Sequence, residues 1–399
     1  MKLIERNYYL QKLINVVGTP DIKIITGVRR AGKSKLLESF EQYLRDTYDD
    51  ITIIKINYNL KEFRKLRSVE KLEDYVDKHT VPGKNTYLLI DEIQLCEDFE
   101  EAVNGFYETG NYDIYLTGSN AFLASSDLAT FFVGRQYEIE VYPFSLKEYM
   151  RYYDLNDPET AFDSYFDEGG MSGAYLYGNK DDKYKYIYEI YETLIIRDIQ
   201  QKYHIRNKAM LDQLVDFMLD NIANLSNSKS ISDNLINKRI KTNNKTIGNY
   251  ITYICRSFLF YKVRRYDLKG KRYLASDDKY YVCDPSFRYA RLGTVNMDYG
   301  RTYENMVAIE LLRRGYELYV GKLYQKEIDF VAKKRNEVLY IQVSDDISNP
   351  DTFEREVDLL LKIRNAYPKL LIARTKHPEY QHEGIRIIDL ARWLADSEL

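Results

Sequence analysis

Nine consecutive residues, Thr26-Gly27-Val28-Arg29-Arg30-Ala31-Gly32-Lys33-Ser34, have the types and spacing to hold a polyphosphate. They fit G-x-x-x-x-G-K-S, a loop whose backbone N–H groups wrap phosphate oxygens. Gly27 and Gly32 remove the Cβ atoms that would stand between backbone and ligand. Lys33 supplies a point charge for β- and γ-phosphates, and the Ser34 hydroxyl is a ligand for Mg2+. The chemistry indicated is binding of ATP with Mg2+. Arg29 and Arg30 face either the nucleotide or solvent, and the sequence leaves that open.

A second group lies 55 to 60 residues downstream, where Leu88-Leu89-Ile90 runs into Asp91-Glu92. A carboxylate there can hold the Mg2+ shell, and its neighbour can orient or deprotonate the attacking water. Asp91 is assigned to the metal and Glu92 to the water. Leu116-Thr117-Gly118-Ser119-Asn120 closes another strand, and Ser119 or Asn120 is positioned to touch the γ-phosphate or the water. A plain strand-end turn is the competing reading. Gly134-Arg135 precedes a further strand. Arg135 is a candidate for stabilising charge on the γ-phosphate, in its own subunit or a neighbour's, against an ordinary surface arginine.

These residues need a strand before the loop and a helix after it. Ile22-Lys23-Ile24-Ile25 reads as a buried strand, while Leu36, Leu37, Phe40, Tyr43 and Leu44 fall at helical spacing. The helix that starts near Lys33 adds the positive end of its dipole. Strands over 51–56, 86–90, 113–117 and 137–141 alternate with helices over residues 69–76 and 98–109. That alternation predicts a parallel sheet with covered faces, at whose carboxyl edge ligands bind. A short amphipathic helix within residues 1–20 leads in.

The chain has 399 residues, more than one typical domain. A hydrophobic content of 45% with 30% charged residues is that of a soluble globular protein. Three scattered cysteines make no disulfide or metal pattern, and no apolar run is long enough to span a membrane, so a cytoplasmic location is expected. Residues 201–300 carry 18 Lys/Arg against 9 Asp/Glu, a local +9, so the remainder carries −12 of the net −3. A basic face would result, with a solvated surface as the default reading.

Past Pro143 the pattern becomes helical to about residue 225, interrupted by Gly169-Gly170-Met171-Ser172-Gly173. Residues 210–290 then read as three helices and a hairpin around Lys269-Gly270-Lys271-Arg272, the outline of a winged helix. From 300 onward a helix leads to strands near 316–320, 327–332 and 338–344, then helix 352–366 and strand 369–373.

With these features assembled, the chain resembles prokaryotic AAA+-type P-loop ATPases that continue into a winged-helix region and a restriction-endonuclease-like domain of unknown function (DUF4143-type). The resemblance rests on the loop, on Leu89-Ile90-Asp91-Glu92-Ile93-Gln94, Leu116-Thr117-Gly118-Ser119-Asn120 and Gly134-Arg135. Tyr142-Pro143-Phe144-Ser145 and Glu327-Ile328-Asp329-Phe330-Val331 extend it. It implies ATP binding and hydrolysis, with an α/β P-loop core over 1–144, a helical lid over 145–225, a winged helix over 226–295 and an α/β endonuclease-like domain over 296–399. One departure is that relatives often have proline where Ser172 follows Gly169-Gly170-Met171.

Lys238, Arg239, Lys241 and Lys245, with Arg256, Lys262, Arg264, Arg265, Lys269, Lys271 and Arg272, can set a recognition helix and a basic wing on DNA. Packing within the ATPase is the other use of such a module. In the C-terminal stretch Glu304, Glu327 and Asp329 lie where a metal-dependent nuclease has carboxylates. Gln342-Val343-Ser344 stands where active members carry Glu-x-Lys, and Lys326, Lys333 and Lys334 are nearby substitutes for the lysine. The domain is therefore expected to be nuclease-inactive and to dock DNA or a protein, with an ATP-regulated nuclease as the alternative. Self-assembly is a further expectation, tied to Arg135.

Overall fold

The computed structural model describes residues 4–118, 132, 134–270, 272–274, 277–295 and 297–396. The chain divides into two compact units, Met1–Val141 with Arg256–Phe258, and Tyr142–Cys255 with Leu259–Leu399.

The first unit runs α1 (Asn7–Ile14), β1 (Ile22–Thr26), α2 (Lys33–Thr47), β2 (Ile51–Asn57), α3 (Val69–His79), β3 (Asn85–Asp91), α4 (Phe99–Thr109), β4 (Tyr112–Thr117) and β5 (Gln136–Glu140). Its five strands are parallel, in the order β2-β3-β4-β1-β5. Parallel strands need crossovers, and the helices that supply them cover the sheet, so the inner strands β1, β3 and β4 are largely buried while the edge strands β2 and β5 are only partly so. Ile24, Ile56, Leu88, Ile90, Ile114 and Leu116 pack with Leu72 and Val76 of α3 and Val103 and Phe106 of α4. Leu36, Leu37, Phe40 and Leu44 form the buried stripe of α2, and the Phe40 ring lies 4.6 Å from that of Tyr115. Lys23 is fully buried within β1. Its ammonium is held by Asp113 at 2.6 Å and the Thr19 carbonyl at 2.5 Å, which compensates its lost hydration.

The second unit begins with α5 (Leu146–Tyr153), α6 (Pro158–Glu168), α7 (Lys180–Thr193), a π-helical stretch Leu194–Gln201, α8 (Lys208–Asp220), α9 (Ser228–Asn237) and α10 (Asn244–Arg256). The starts follow local chemistry. Ser145 and Glu148 form a reciprocal capping box, and Asp157 caps α6 ahead of Pro158 at its first turn. Gly169-Gly170 is a close-packed crossing, since a Cβ on Gly169 would lie 2.2 Å from Asp284 Oδ1. Gly170 donates its N–H to Asp284 Oδ2 at 2.6 Å and accepts from Phe144 N–H at 2.8 Å.

There follow β6 (Phe260–Asp267), β7 (Arg272–Tyr273), β8 (Lys279–Val282), α11 (Ser286–Leu292), α12 (Tyr299–Arg313), β9 (Glu317–Leu323), β10 (Lys326–Lys334), β11 (Glu337–Ser344), α13 (Pro350–Leu361), β12 (Lys369–Ala373), β13 (Tyr380–His382), β14 (Ile385–Asp389) and α14 (Leu390–Ala395). They build one nine-stranded sheet, β13-β14-β12-β11-β10-β9-β6-β7, with β8 beside β6. β6 is antiparallel to β8 and parallel to β9, so the hairpin of segment 226–295 and the strands of segment 296–399 share this sheet across residue 295. β13, β14 and α14 follow the strand expected over 369–373 and extend the sheet to residue 395.

Candidate nucleotide site

Gly27 follows directly on β1 with φ +125°, and a Cβ there would sit 2.1 Å from the Val141 carbonyl oxygen. The end of β5 crosses tightly here because Val141 N–H bonds the Thr26 carbonyl at 2.9 Å. Only glycine fits. Gly32, at φ +100°, immediately precedes α2, so Lys33 and Ser34 begin the helix. The Lys33 ammonium is buried and donates to the Gly27 and Val28 carbonyls at 2.7 and 3.0 Å. Ser34 is half-buried, Arg29 is partly covered, and Arg30 is exposed with φ +67°. Val28 and Ala31 are buried. The loop also has a support that its own sequence does not announce. Arg6, just before α1, is buried and donates from Nη1 to the Ala31 carbonyl at 2.7 Å.

Asp91 ends β3 on the same carboxyl edge. Ile90 pairs with Leu116 and Thr117 with Ile25, so Asp91, Thr117 and Ile25 form one row across three strands. At strand spacing, Asp91 stands about 10 Å from β1. Thr117 is buried between them; its hydroxyl donates to Asp91 Oδ1 and accepts the Glu92 N–H at 3.3 Å. Glu92 takes a left-handed conformation, φ +59°, which ends the strand. Gln94 Nε2 donates to Glu92 Oε2 at 2.5 Å. Thr117 and Gln94 thus orient the two carboxylates, a role not assigned from sequence. Strand-end position was the signal for Thr117.

Mg2+ and a triphosphate fit this donor set: a loop with glycine at both ends, a buried ammonium, a helix N-terminus, a hydroxyl at Ser34 and a buried carboxylate at Asp91.

Ser119 and Asn120 lie outside the described residues. Arg135 is described, and its position departs from a role at its own subunit's loop. It precedes β5, whose Gln136 pairs with Ile22 while Glu140 pairs with Thr26. Arg135 is therefore at the amino edge, about 16 Å along the strand from the loop. Its guanidinium bonds Glu108 at 2.6 Å and lies 5.1 Å from the Tyr107 ring.

In the second unit, Glu304 of α12 and Glu327 and Asp329 of β10 converge on one lysine. It is Lys279 of β8, none of the three considered from sequence. Its ammonium lies 2.8 Å from Glu304, 2.7 Å from Glu327 and 3.7 Å from Asp329. Tyr281 donates its hydroxyl to Glu304 at 2.6 Å, and Asp329 accepts the Val343 N–H at 2.9 Å. Burial, reinforced by Glu304, pushes Asp329 well above the usual carboxylate range. Burial also raises Glu304, with Lys279 and Tyr281 pulling it back. Burial opposes the Lys279 charge, but Glu304, Asp329 and Glu327 outweigh it and leave its pKa raised. Gln342 is engaged beside the cluster, where its Oε1 accepts the Asp329 N–H at 3.3 Å. Lys326 is exposed, Lys333 sits among Tyr266, Tyr319 and Tyr273, and Lys334 bonds the Arg314 carbonyl.

Lys238, Arg239, Lys241 and Lys245, around α9 and α10, are exposed. Lys262 is paired with Asp278 at 2.7 Å, and Lys271 lies outside the described residues. Among the described residues, no helix is long and apolar enough to cross a membrane.

Residues 19–150 match the model of an AAA domain, and residues 159–298 match a domain of unknown function, DUF8612. The second match leaves most of segment 296–399 outside it. Among solved structures, the Walker-type ATPase PABY2304 of Pyrococcus abyssi is 19% identical, covering 72% of this chain and 96% of that one, with a TM-score of 0.48. AMPPCP-bound DnaA from Aquifex aeolicus is 14% identical, covering 64% and 88%, with a TM-score of 0.31. An uncharacterized protein MJ1544 of Methanocaldococcus jannaschii is 27% identical over 89% of this chain and 80% of its own. An uncharacterized protein of Haemophilus influenzae is 35% identical over 98% of both chains. With that identity along nearly the entire length, the chain belongs to the same family as the H. influenzae protein, and it carries an AAA domain over residues 19–150.

Proposed function

We propose that the protein hydrolyses ATP at the carboxyl edge of its five-stranded sheet and uses the cycle to switch its hold on a partner, with DNA held through residues 226–295. The observation that carries this reading is the row Asp91–Thr117–Ile25 beside the loop, which sets two oriented carboxylates against a phosphate cradle. Gly27, Val28, Arg29, Arg30, Ala31 and Gly32 form the cradle, and Lys33 neutralises the phosphates. Ser34 and Asp91 would hold Mg2+, which screens phosphate charge when bound. Glu92, fixed through one oxygen by Gln94, takes the proton of the attacking water.

In this reading 1–144 is the ATPase core, 145–225 a lid, 226–295 a winged helix and 296–399 a docking domain. The exposed cations around α9 and α10 support DNA as the partner. For the docking role, the support is Lys279, whose ammonium already neutralises the three carboxylates that a nuclease would turn to metal. Asn120 is kept as a candidate contact to the γ-phosphate, and Arg135 as one donated to a neighbouring subunit.

Two variants test the proposal. Lys33→Ala is expected to lose most affinity for labelled ATP. Glu92→Gln is expected to keep ATP bound and to slow turnover by ~10²-fold, the scale of losing a positioned base. Turnover within a few-fold of the parent in Glu92→Gln would remove Glu92 from that role. DNA-stimulated turnover that vanishes in Lys241→Ala/Lys245→Ala supports the partner assignment, and turnover indifferent to DNA overturns it.

A further inference from the structure

A groove of about 1110 Å3 opens on the second unit, floored by β6, β10 and β11 and walled by residues 323–326 and 361–367. Its lining contains five cations, Lys269, Lys326, Lys333, Lys362 and Arg364, and no carboxylate. Three carboxylates lie close by, and one of them, Asp267, accepts the Lys269 backbone N–H at 3.1 Å. Asp358 holds Lys362 at 2.5 Å, and Glu317 is paired across from Lys333 beside Tyr319. Among the described residues, Lys269, Lys326, Lys333 and Arg364 make no ion pair within 4 Å, although Lys326 also acts on Asp358 at longer range, so the groove keeps an excess of positive charge.

Tyrosines interleave with these cations. Tyr266 and Tyr340 belong to the floor, while Tyr324 and Tyr367 stand on the walls, 63% and 47% exposed. The Lys333 ammonium lies 3.9 Å from the Tyr266 ring centroid and 5.0 Å from that of Tyr319; Lys269 lies 5.0 Å from that of Tyr324. These two ammonium groups are thus held beside ring faces, so a flat group stacked nearby would carry an attached anion toward their charge.

We propose that this groove binds a single-stranded segment of nucleic acid, with bases stacked on the exposed Tyr324 and Tyr367 rings and phosphates held by the lysines and Arg364. Stacking surface alternating with positive charge is what an unpaired strand requires. A duplex hides its base faces, and an acidic peptide would satisfy the cations but leave the rings idle. The site uses none of the ATP-binding residues and is separate from the exposed cations around α9 and α10.

The test is fluorescence anisotropy of the full chain with labelled single-stranded DNA, single-stranded RNA and duplex DNA, each of about 20 nucleotides or base pairs, between about 50 and 200 mM salt. Single strands should bind at least about tenfold more tightly than duplex; the DNA and RNA arms identify which strand is preferred. Tyr324→Ala/Tyr367→Ala should weaken that binding roughly tenfold or more with little change in its salt dependence. Lys326→Ala/Arg364→Ala should flatten the log–log salt slope by about 1.4, from two lost phosphate contacts. ATP turnover without nucleic acid should stay unchanged in both variants, and strand binding should survive Lys33→Ala, so failure at the groove and at the ATP site are distinguishable. The proposal is overturned if single strands do not bind, or if both double variants bind like the parent. It is equally overturned if polyglutamate displaces the strand at equal charge, or if duplex is preferred and its binding is lost only in Lys245→Ala.

Discussion

Replacing Gly27 by alanine isolates what the loop's backbone contributes. Two penalties combine there. Holding an alanine at φ +125°, a conformation populated essentially by glycine alone, costs on the order of 1–3 kcal/mol. The new Cβ would also start 2.1 Å from the Val141 oxygen, so the loop or the end of β5 must give way by about 0.9 Å to reach the 3.0 Å that real contacts respect. β5 resists, since Val141 is tied to Thr26 by its 2.9 Å hydrogen bond. The loop is the part expected to move, and a displacement near 1 Å at a reacting centre costs on the order of 10²-fold in rate. Gly18→Ala is the matched control: it has φ +74° with nothing within 4 Å of the new Cβ, so it carries the backbone penalty alone. Turnover at saturating ATP, ATP affinity and thermal melting would be measured for both variants. Gly27→Ala should lose about 10²-fold in turnover, while Gly18→Ala melts slightly earlier but turns over normally. A Gly27→Ala protein within threefold of the parent would refute the argument that the crossing of β5 dictates the loop.

Lys279→Met should destabilise the second unit by about 3–5 kcal/mol, because it strands the buried Glu304 and Asp329 and takes the partner from the half-buried Glu327. Asp329 and Glu304 are already raised by burial, so each contributes stability below its unfolded pKa near 4 that is lost as pH rises through its folded value. Removing Lys279 raises them further, so the deficit measured by denaturant unfolding should be smallest in acid and grow toward neutral pH. A deficit independent of pH would mean that packing, not charge, sets the role of Lys279. If Arg135 serves a neighbouring subunit, Arg135→Ala should cut turnover more than ATP affinity, and turnover per chain should rise with protein concentration. Concentration-independent turnover by a species that sediments as a monomer with ATP would remove that role.

Residues 22–34 were legible because everything that defines them is local. A β-branched strand, two glycines at fixed separation and a lysine–serine pair at a helix start lie within thirteen residues, and backbone sterics act at that range. Asp91 and Glu92 were legible because a parallel strand in this sheet is an apolar run with a defined end, so the chain shows where its carboxyl edge falls. The strands of the first sheet and the helix-rich character of 145–225 followed from the same short-range periodicity, whereas α11 did not.

Other features depended on which strands lie side by side. Arg135 reads like a partner of the nucleotide until its register with Ile22 sets it at the opposite edge of the sheet. Thr117 becomes the link between Asp91 and Glu92 only because β4 is inserted between β1 and β3. Arg6 meets Ala31 across 25 residues, and Lys279 meets Glu304 and Asp329 across 25 and 50. The sequence by itself determined the elements and the phosphate loop, since propensity, periodicity and glycine sterics are properties of neighbouring residues. Only the tertiary structure decided which charges pair and which edge each side chain occupies, because burial and electrostatics act between groups that the chain order keeps apart.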